Sequence, residues 1–197
     1  MNPGRTERTN KGLPAEKHNE PPPSSTQSGQ QVTAFISLGS NLGASTEIVR
    51  QAIKRLEPFS AHPLAVSSFW ESEPVDCPPG SPRFVNAIVA VIVREGETPL
   101  SLLKKLQRLE KEFGRQPKKV LNEPRPLDLD IVAFGNLTCS TNRLVVPHPR
   151  AHQRKFVLQP LSELASNLIL PGQNKTVAQL LAELPSQPGV RRLTCEV

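Results

Sequence analysis

The chain has 197 residues and a formal net charge of +6, a length that favours one domain with a tail over two domains. Its three cysteines are odd in number and widely spaced, which excludes a disulfide framework and a four-cysteine zinc site. No apolar run approaches the ~20 residues of a membrane span, and the N-terminus lacks the apolar core of a signal peptide. We therefore expect a cytoplasmic protein that contacts no membrane.

The first 31 residues are rich in proline, serine and glutamine, with Pro21–Pro23 followed by a run of polar residues. This composition buries too little apolar surface to offset the entropy of ordering, so the sequence predicts a disordered tail over 1–31. Hydrophobic residues make up 37% of the whole chain, and only four of them fall within the first 32 positions. The folded domain is therefore expected over 32–197.

The first half of the expected domain contains three extended patterns and one helical pattern. The run Thr33–Leu38 predicts a strand that ends in a turn, and Ser45 is a candidate N-cap for the helix that follows. A second strand is predicted over 64–71 and a third over 84–93. The third strand is apolar throughout from Ala87 onward, which is typical of a central strand covered on both faces.

The second half begins with a well-marked helix. Thr98 is a typical N-cap, Pro99 suits the first helical position, and Gly114 can close the helix. The remaining predicted elements are a basic loop over 115–125, a strand over 127–134, an extended piece over 143–146, a helix over 154–165 interrupted at Pro160, a helix over 177–184 and a closing strand over 190–193.

The order of these elements is β-α-β-β-α-β followed by two helices. This order predicts an α+β fold of the ferredoxin-like kind, in which an antiparallel sheet carries its helices on one face. The last two helices form a C-terminal helical extension. The fold class by itself does not indicate a function.

Two aspartates occupy alternate positions of the predicted strand over 127–134. Asp128 and Asp130 therefore share one face, about 7 Å apart, while their apolar neighbours point into the core. Paired carboxylates repel each other unless a cation lies between them, and Mg²⁺ favours such hard oxygen ligands. The alternative is the polar outer face of a half-buried edge strand. Basic clusters over 104–125 and 143–155 favour a metal–nucleotide site.

A second polar group follows this strand. His148 and His152 have the spacing of a helical zinc pair, but Pro149 argues against one helix that contains both. We interpret His148 as a hydrogen-bond donor to phosphate and Arg154 as a forked phosphate ligand. Phe156 is either a core residue or a stacking face for a flat ligand.

Three further polar residues are weaker candidates. Asn86 opens the apolar third strand, and its amide offers a donor and an acceptor to the edge of a heterocycle. The alternative is a strand-entry asparagine that the backbone satisfies. Gln107 and Glu110 lie three positions apart and share one helix face, which is either a binding face or a solvated one.

Seven short motifs in this order and spacing resemble the 6-hydroxymethyl-7,8-dihydropterin pyrophosphokinase family. Each is weak alone, and together they extend from about Ala34 to Ala165. The motifs are Leu38–Gly43, Ser67–Pro74, Phe84–Ala87, Gln107–Glu110, Gly114–Arg115, Pro124–Asp130 and Val146–Arg150.

The resemblance implies an enzyme of folate biosynthesis that moves the β,γ-diphosphate of ATP to the hydroxymethyl group of a reduced pterin and releases AMP. It implies two Mg²⁺ ions held by Asp128 and Asp130, with Arg115 and Arg125 as further catalytic residues. The residues that it places at the nucleotide are Gln107, Glu110, Arg115, Arg125, Ile131, Arg143, His148 and Arg154. The residues that it places at the pterin are Ser72, Val75, Phe84, Asn86, Asp128 and Phe156.

In the same resemblance, Phe84 and Phe156 enclose the pterin ring, and the loops over 75–83 and 115–125 close over bound ATP. The expected partners are ATP and the pterin, with no nucleic acid, and the protein is expected to be a monomer. The chain departs from the family at 121–123, where Leu-Asn-Glu stands for a basic residue, an often aromatic residue and glycine.

Two other functions remain open at this point. The basic charge also suits an RNA-binding module of the same broad fold, although the strand over 84–93 lacks the aromatic pattern of such modules. A regulatory relative without activity is the other alternative, and the intact Asp128 and Asp130 pair argues against it. Turnover of ATP that depends on Mg²⁺ separates these possibilities.

Overall fold

A computed structural model describes residues 31–117, 120, 122–185 and 189–194. The predicted tail, except for Gln31, lies outside these residues. The described part is a mixed α/β fold with an antiparallel sheet and four α-helices. The strands are β1 Thr33–Ser40, β2 Ala65–Val66, β3 Trp70–Ser72, β4 Phe84–Ile92, β5 Asp128–Phe134, β6 Cys139–Ser140, β7 Val145–Val146 and β8 Arg191–Arg192. The helices are α1 Ser45–Leu56, α2 Pro99–Glu112, α3 Lys155–Ala165 and α4 Val177–Glu183.

The main sheet has the strand order β5-β1-β4-β3-β8, and β2 also pairs with β4. The central position predicted for the third strand is confirmed, because β4 lies between β1 and β3 and seven of its nine residues are buried. The closing strand is present as the short β8, which pairs with β3. The pairing of β1 with both β4 and β5 brings three chain segments side by side at one end of the sheet.

The two helices of the predicted β-α-β-β-α-β order, α1 and α2, share one face of this sheet, as predicted. The C-terminal helices, for which the sequence predicted no face, cover the other face. Leucines of α2 and apolar residues of α1 pack against Ile36 and Leu38 on one face. On the other face, α3 and α4 form a separate apolar cluster around Ile88 and Val132. Periodicity shows that one side of a helix is buried, but it does not show which layer covers that side.

The strand predicted over 64–71 is divided into β2 and β3 by a local change in hydrogen bonding at Ser67. The Ser67 hydroxyl accepts the Ile88 N–H at 2.9 Å, and the Ser67 N–H donates to the Ile88 carbonyl at 3.0 Å. A side chain therefore replaces a backbone acceptor at this point, which is a known way for serine to interrupt a regular ladder.

The helix boundaries agree with the predictions in part. Thr98 forms a capping box with Ser101 at the start of α2, as predicted. The prediction that Ser45 caps α1 is wrong, because Ala44 occupies that position without a side-chain cap. Pro160 does not interrupt α3, which is continuous and buries the side chains on both sides of the proline.

A short hairpin, which the sequence did not predict as a pair, precedes the second polar group. The extended piece expected over 143–146 is the strand β7, and it pairs with β6. The chain then runs beside the edge strand β5, where the His148 N–H donates to the Val132 carbonyl at 2.9 Å. This contact places His148 next to the face of β5 that carries Asp128 and Asp130. No helix in the described ranges is long and apolar enough to span a membrane.

Candidate active site

A pocket opens at the end of the sheet face that α3 covers. Its floor consists of alternate residues on three adjacent strands, because Gly39 of β1 is paired with Asn86 of β4 on one side and Asp128 of β5 on the other. The pocket is lined by Ser37, Gly39, Ser72, Glu73, Val75, Asp76, Cys77, Phe84, Asn86, Asn122, Arg125, Asp128, Asp130, Val132, His148, Ala151, Arg154, Phe156 and Val157.

Asp128 is held between two arginines. Arg115 donates to one of its carboxylate oxygens at 2.6 Å, and Arg125 donates to the other oxygen at 2.6 Å. Burial by itself would raise the pKa of Asp128, but the charges and hydrogen bonds of Arg125 and Arg115 outweigh it and hold the pKa below its ordinary value. Asp128 is therefore a carboxylate that organises the two guanidinium groups.

Asp130 has a different environment on the same face. Its carboxylate makes no hydrogen bond or ion pair to any residue in the described part of the chain. Burial and the neighbouring charge of Asp128 raise its pKa to about 6, against a smaller lowering by Arg154. The charge of Asp128 is thus compensated by two arginines, whereas the charge of Asp130 would be stabilised by a bound cation.

Glu110 supports this arrangement from α2. Its Oε1 accepts the backbone N–H of Leu129 on the edge strand at 2.8 Å and also pairs with Arg115. Burial raises the pKa of Glu110 to about 7, against the lowering by that N–H and by Arg115. Arg115 therefore joins Glu110 to Asp128, and the helix is tied to the strand that carries the aspartates.

His148 and Arg154 present two donors to the same region. The His148 Nδ1 accepts the Arg150 backbone N–H at 3.1 Å, so the proton of the neutral ring resides on Nε2. Burial, Arg154 and Arg150 lower the pKa of His148 to about 4, which keeps the ring neutral at pH 7. The His148 Nε2 and Arg154 Nη1 atoms lie 3.4 Å apart. Two donors at this distance form a site that an anion can bridge.

The Asn86 amide makes hydrogen bonds to described residues through its nitrogen but not through its oxygen. Its Nδ2 donates to the Ser72 hydroxyl at 2.9 Å and to the Trp70 carbonyl at 3.2 Å. Its Oδ1 accepts no hydrogen bond from any of the residues that the structure describes, and it faces the floor beside Gly39. Asn86 therefore offers an oriented acceptor to an N–H group in the pocket.

Two aromatic rings flank the pocket, and each has an arginine over it. The Arg125 guanidinium lies 5.2 Å from the centre of the Phe84 ring, and the Arg154 guanidinium lies 5.5 Å from that of Phe156. These distances are typical of cation–π contacts. Each of the two rings therefore has a guanidinium group against one of its faces.

The structure brings ten of the predicted site residues into this pocket: Ser72, Val75, Phe84, Asn86, Arg125, Asp128, Asp130, His148, Arg154 and Phe156. Arg115 contacts Asp128 and lines a neighbouring cavity. The remaining four lie outside the pocket lining. Gln107 and Arg143 are exposed, Glu110 is buried behind Arg115, and the Ile131 side chain packs in the core on the opposite face.

The sequence did not identify several pocket residues, notably Gly39, Asp76, Cys77 and Asn122. Gly39 belongs to the turn noted after the first strand, and Asp76 and Asn122 belong to the two loops expected to close over the pocket. Asp76 and Asn122 both adopt a positive φ, which aspartate and asparagine tolerate better than most residues. Residue type is therefore the one sequence feature that indicates the backbone conformation at these two positions.

These groups suit the chemistry of a polyphosphate. Three guanidinium groups and the Nε2–H of His148 supply donors for phosphoryl oxygens, and two carboxylates on one face supply oxygen ligands for a hard cation. The aromatic rings and the Asn86 acceptor suit a flat, nitrogen-rich heterocycle. The pocket therefore combines groups suited to a charged reactant with groups suited to an uncharged one.

The family model for 7,8-dihydro-6-hydroxymethylpterin-pyrophosphokinase matches residues 35–166 of the chain. A 2-amino-4-hydroxy-6-hydroxymethyldihydropteridine pyrophosphokinase of Haemophilus influenzae is 41% identical over 158 residues, which cover 79% of this chain and 92% of that protein. The protein of the same name from Pseudomonas aeruginosa is 39% identical over 160 residues, covering 81% and 95% respectively.

The fold is also similar to solved structures. A crystal structure of Plasmodium falciparum HPPK-DHPS superposes with a TM-score of 0.64 at 14% sequence identity. The match covers 83% of this chain and 49% of that one. At this identity the likeness concerns the fold alone, and the chain spans about half of the solved protein.

Proposed function

This chain belongs to the 7,8-dihydro-6-hydroxymethylpterin-pyrophosphokinase family, and we propose that the pocket beside Asp128 and Asp130 is its active site. The family transfers a diphosphate group from ATP to hydroxymethyldihydropterin in folate biosynthesis, and this is the activity of the chain. The RNA-binding alternative receives no support. The observation that carries the site assignment is the carboxylate pair enclosed by three arginines and His148.

We assign the activity to residues 32–197, which include the whole range that the family model matches. We further propose that the fold is of the ferredoxin-like kind. The strand order β5-β1-β4-β3, together with the placement of α1 after β1 and α2 after β4, supports that classification. The helices α3 and α4 then form the C-terminal extension, packed on the second face of the sheet.

In the proposed mechanism, the arginines position and neutralise the polyphosphate. Transfer of a phosphoryl group depends mostly on alignment and on compensation of charge, with little covalent work for the protein. Arg154 and His148 lie side by side as donors for one phosphate. Arg125 and Arg115 lie at the other side of the aspartates, where Asp128 fixes their orientation.

The donor set fits Mg²⁺, and we propose that Asp128 and Asp130 hold two ions. Asp130 is a buried carboxylate with a raised pKa and no cationic partner at hydrogen-bond distance among the described residues, so a divalent cation relieves its electrostatic cost. Bound Mg²⁺ supplies Lewis acidity and neutralises phosphate charge. The two aspartates also offer an acceptor for the proton that the pterin hydroxyl loses.

The pterin is proposed to lie between Phe84 and Phe156, with its edge against the Asn86 Oδ1 atom. Ser72 fixes the Asn86 amide by accepting from its Nδ2, and so determines which end of the amide faces the ligand. Val75 lines the wall of the same pocket. Flat heterocycles gain both apolar burial and stacking between two such rings.

Four further nucleotide contacts remain proposals drawn from the family. Glu110 acts through Arg115, to which it is paired. Gln107 and Arg143 are exposed, and Ile131 lies within β5, paired with Ile36 of β1. We propose that these residues contact the nucleotide part of ATP, away from the pterin.

We expect the pterin to bind weakly to the free protein and much more tightly once a nucleotide is bound. In the free protein, Arg125 and Arg154 cover the rings between which the pterin would stack. Phosphates draw the Arg154 guanidinium, which no carboxylate among the described residues holds at salt-bridge distance, away from the Phe156 ring. The nearly uncharged pterin cannot do so. Coupling of this kind is typically about 5–150-fold in affinity.

Calorimetric titration of 6-hydroxymethylpterin tests this expectation. The titration is done with the protein in Mg²⁺ alone and again with α,β-methylene-ATP, whose α–β linkage cannot be cleaved. Equal pterin affinities in the two titrations would contradict the role of the arginines over the rings. A failure of the pterin to bind under either condition would contradict the placement of the pterin site.

A further inference from the structure

Two loops enclose the mouth of the pocket, and their inner ends are joined by one buried side chain. The first loop is Val75–Arg83, and the second consists of the described residues Asn122–Arg125. Asn41 donates from its Nδ2 to the Pro82 carbonyl at 3.1 Å and accepts the Arg125 N–H at 2.9 Å. Since Asn41 is 1% exposed, it fixes the bases of both loops to the end of β1.

The outer parts of the loops are joined by a separate contact. The Asn122 Nδ2 donates to the Asp76 backbone carbonyl at 2.7 Å. The Asp76 carboxylate also lies 3.5 Å from an Arg150 nitrogen, which connects the first loop to the segment after His148. We call the Asn122–Asp76 hydrogen bond the inter-loop contact.

The backbone at both ends of this contact has an uncommon conformation. Asp76 has a φ of 55° and Asn122 a φ of 54°, in the left-handed region that few residues other than glycine adopt. Asparagine and aspartate tolerate this region better than other side chains. The residues at both positions are therefore of the types that suit this backbone conformation, and the loops hold the inter-loop contact without unusual strain.

The residues of the inter-loop contact line the pocket that is proposed to hold the pterin. Asp76 stands between Val75 and Cys77, and all three line the pocket that contains Phe84. Asn122 lines it too. Two of the arginines proposed to neutralise phosphate, Arg115 and Arg125, are held by Asp128 and not by the inter-loop contact.

We propose that Asn122 is a positioning residue for the pterin, which acts by holding Asp76 and the adjacent wall of the pocket through the inter-loop contact. This inference rests on the proposed function and concerns the same site. This bond joins the outer parts of the two loops at the wall of the pocket. Loss of the bond loosens the wall beside the pterin, while Asp128 continues to hold Arg115 and Arg125 at the phosphate.

The test compares Asn122→Gly, Asn122→Asp and a control, Asn136→Gly. Glycine keeps the positive φ and removes the amide, and aspartate keeps the shape but cannot donate to a carbonyl. Asn136 is an exposed asparagine in a turn at the far end of β5. Each full-length variant is titrated with 6-hydroxymethylpterin in the presence of Mg²⁺ and α,β-methylene-ATP, and separately with the nucleotide alone.

We expect both Asn122 variants to bind the pterin about 3–10-fold more weakly, the effect of one lost hydrogen bond. Their nucleotide affinity should remain within about twofold of the parent, and Asn136→Gly should match the parent for both ligands. Unchanged pterin affinity in both Asn122 variants overturns the inference. Equal weakening of pterin and nucleotide also overturns it, because that result indicates a general structural role. If the parent fails to bind the pterin, the proposed function itself is contradicted.

Discussion

Asp130→Asn is expected to reduce turnover by about 10²–10³-fold or more while it raises the thermal stability of the metal-free protein. The carboxylate is proposed to hold Mg²⁺, and its loss removes a ligand that stabilises the transition state. Without metal, the same carboxylate is a buried charge with no partner among the described residues, next to Asp128. Asparagine has the same shape and no charge, so the substitution removes the free-energy cost of burying a charged carboxylate next to Asp128.

The stability gain has a defined pH dependence. Burial and Asp128 raise the Asp130 pKa from 3.8 to about 6, so the folded protein holds a proton that the unfolded chain releases between these values. Stability of the parent therefore falls as pH rises from about 4 to 6. The gain in Asp130→Asn should be absent below about pH 4 and complete above about pH 6, where we expect about 1–3 kcal/mol.

Asp128→Asn provides the matched comparison. It should also lose turnover, but the metal-free protein should become less stable at pH 7, because Arg115 and Arg125 lose the carboxylate that pairs with both. If repulsion between the two aspartates were the only effect, removing either carboxylate would raise the stability of the metal-free protein. Because Asp128 also pairs with two arginines, we expect only the substitution of Asp130 to raise that stability.

Both variants are examined by thermal unfolding in EDTA at pH 4 and pH 7.5 and by release of AMP in Mg²⁺. If Asp130→Asn keeps near-normal turnover at saturating Mg²⁺, the metal assignment is wrong. If it is less stable than the parent at pH 7.5, the account of its electrostatic environment is wrong.

Arg154→Ala is expected to lower kcat/KM for ATP by about 10²–10³-fold, the usual loss when one preorganised donor to a phosphate is removed. No carboxylate lies within salt-bridge distance of Arg154 among the residues that the structure describes. Burial and the charge of Arg150 lower its pKa, and the more distant charges of Asp130, Asp128 and Asp76 compensate this only in part. Its substitution should therefore cost little stability while it removes a ligand to phosphate.

Arg154→Lys separates charge from geometry, because lysine keeps the charge and loses the planar fork. We expect it to recover part of the activity and to remain clearly below the parent in steady-state assays. Arg50→Ala on α1, where Arg50 pairs with the exposed Glu47, is the control and should match the parent. An Arg154→Ala variant with unchanged KM and kcat would remove Arg154 from the phosphate site.

Local sequence patterns were sufficient to predict the features that depend on one element. The two-residue repeat of a strand places Asp128 and Asp130 on one face, and the structure confirms that both line the pocket. The capping box at Thr98 depends only on residues three positions apart. The run of apolar residues that forms β4 predicted its central position.

Features that depend on contacts between distant segments were not predicted. The placement of α3 and α4 on the second face follows from their packing on Ile88 and Val132, which no periodicity shows. The inter-loop contact joins residues 46 positions apart. The difference between Asp128 and Asp130 depends on two arginines that reach only one of them.

The central claim is that this pocket moves a diphosphate group from ATP to the hydroxymethyl oxygen of a reduced pterin. Phosphorus NMR of the full chain with Mg²⁺, ATP and 6-hydroxymethyl-7,8-dihydropterin tests it most directly. The account predicts that AMP and a pterin diphosphate ester appear in a one-to-one ratio, that no AMP forms without the pterin, and that Asp130→Asn suppresses both signals. Formation of ADP in place of AMP, or release of AMP without the pterin, would contradict it.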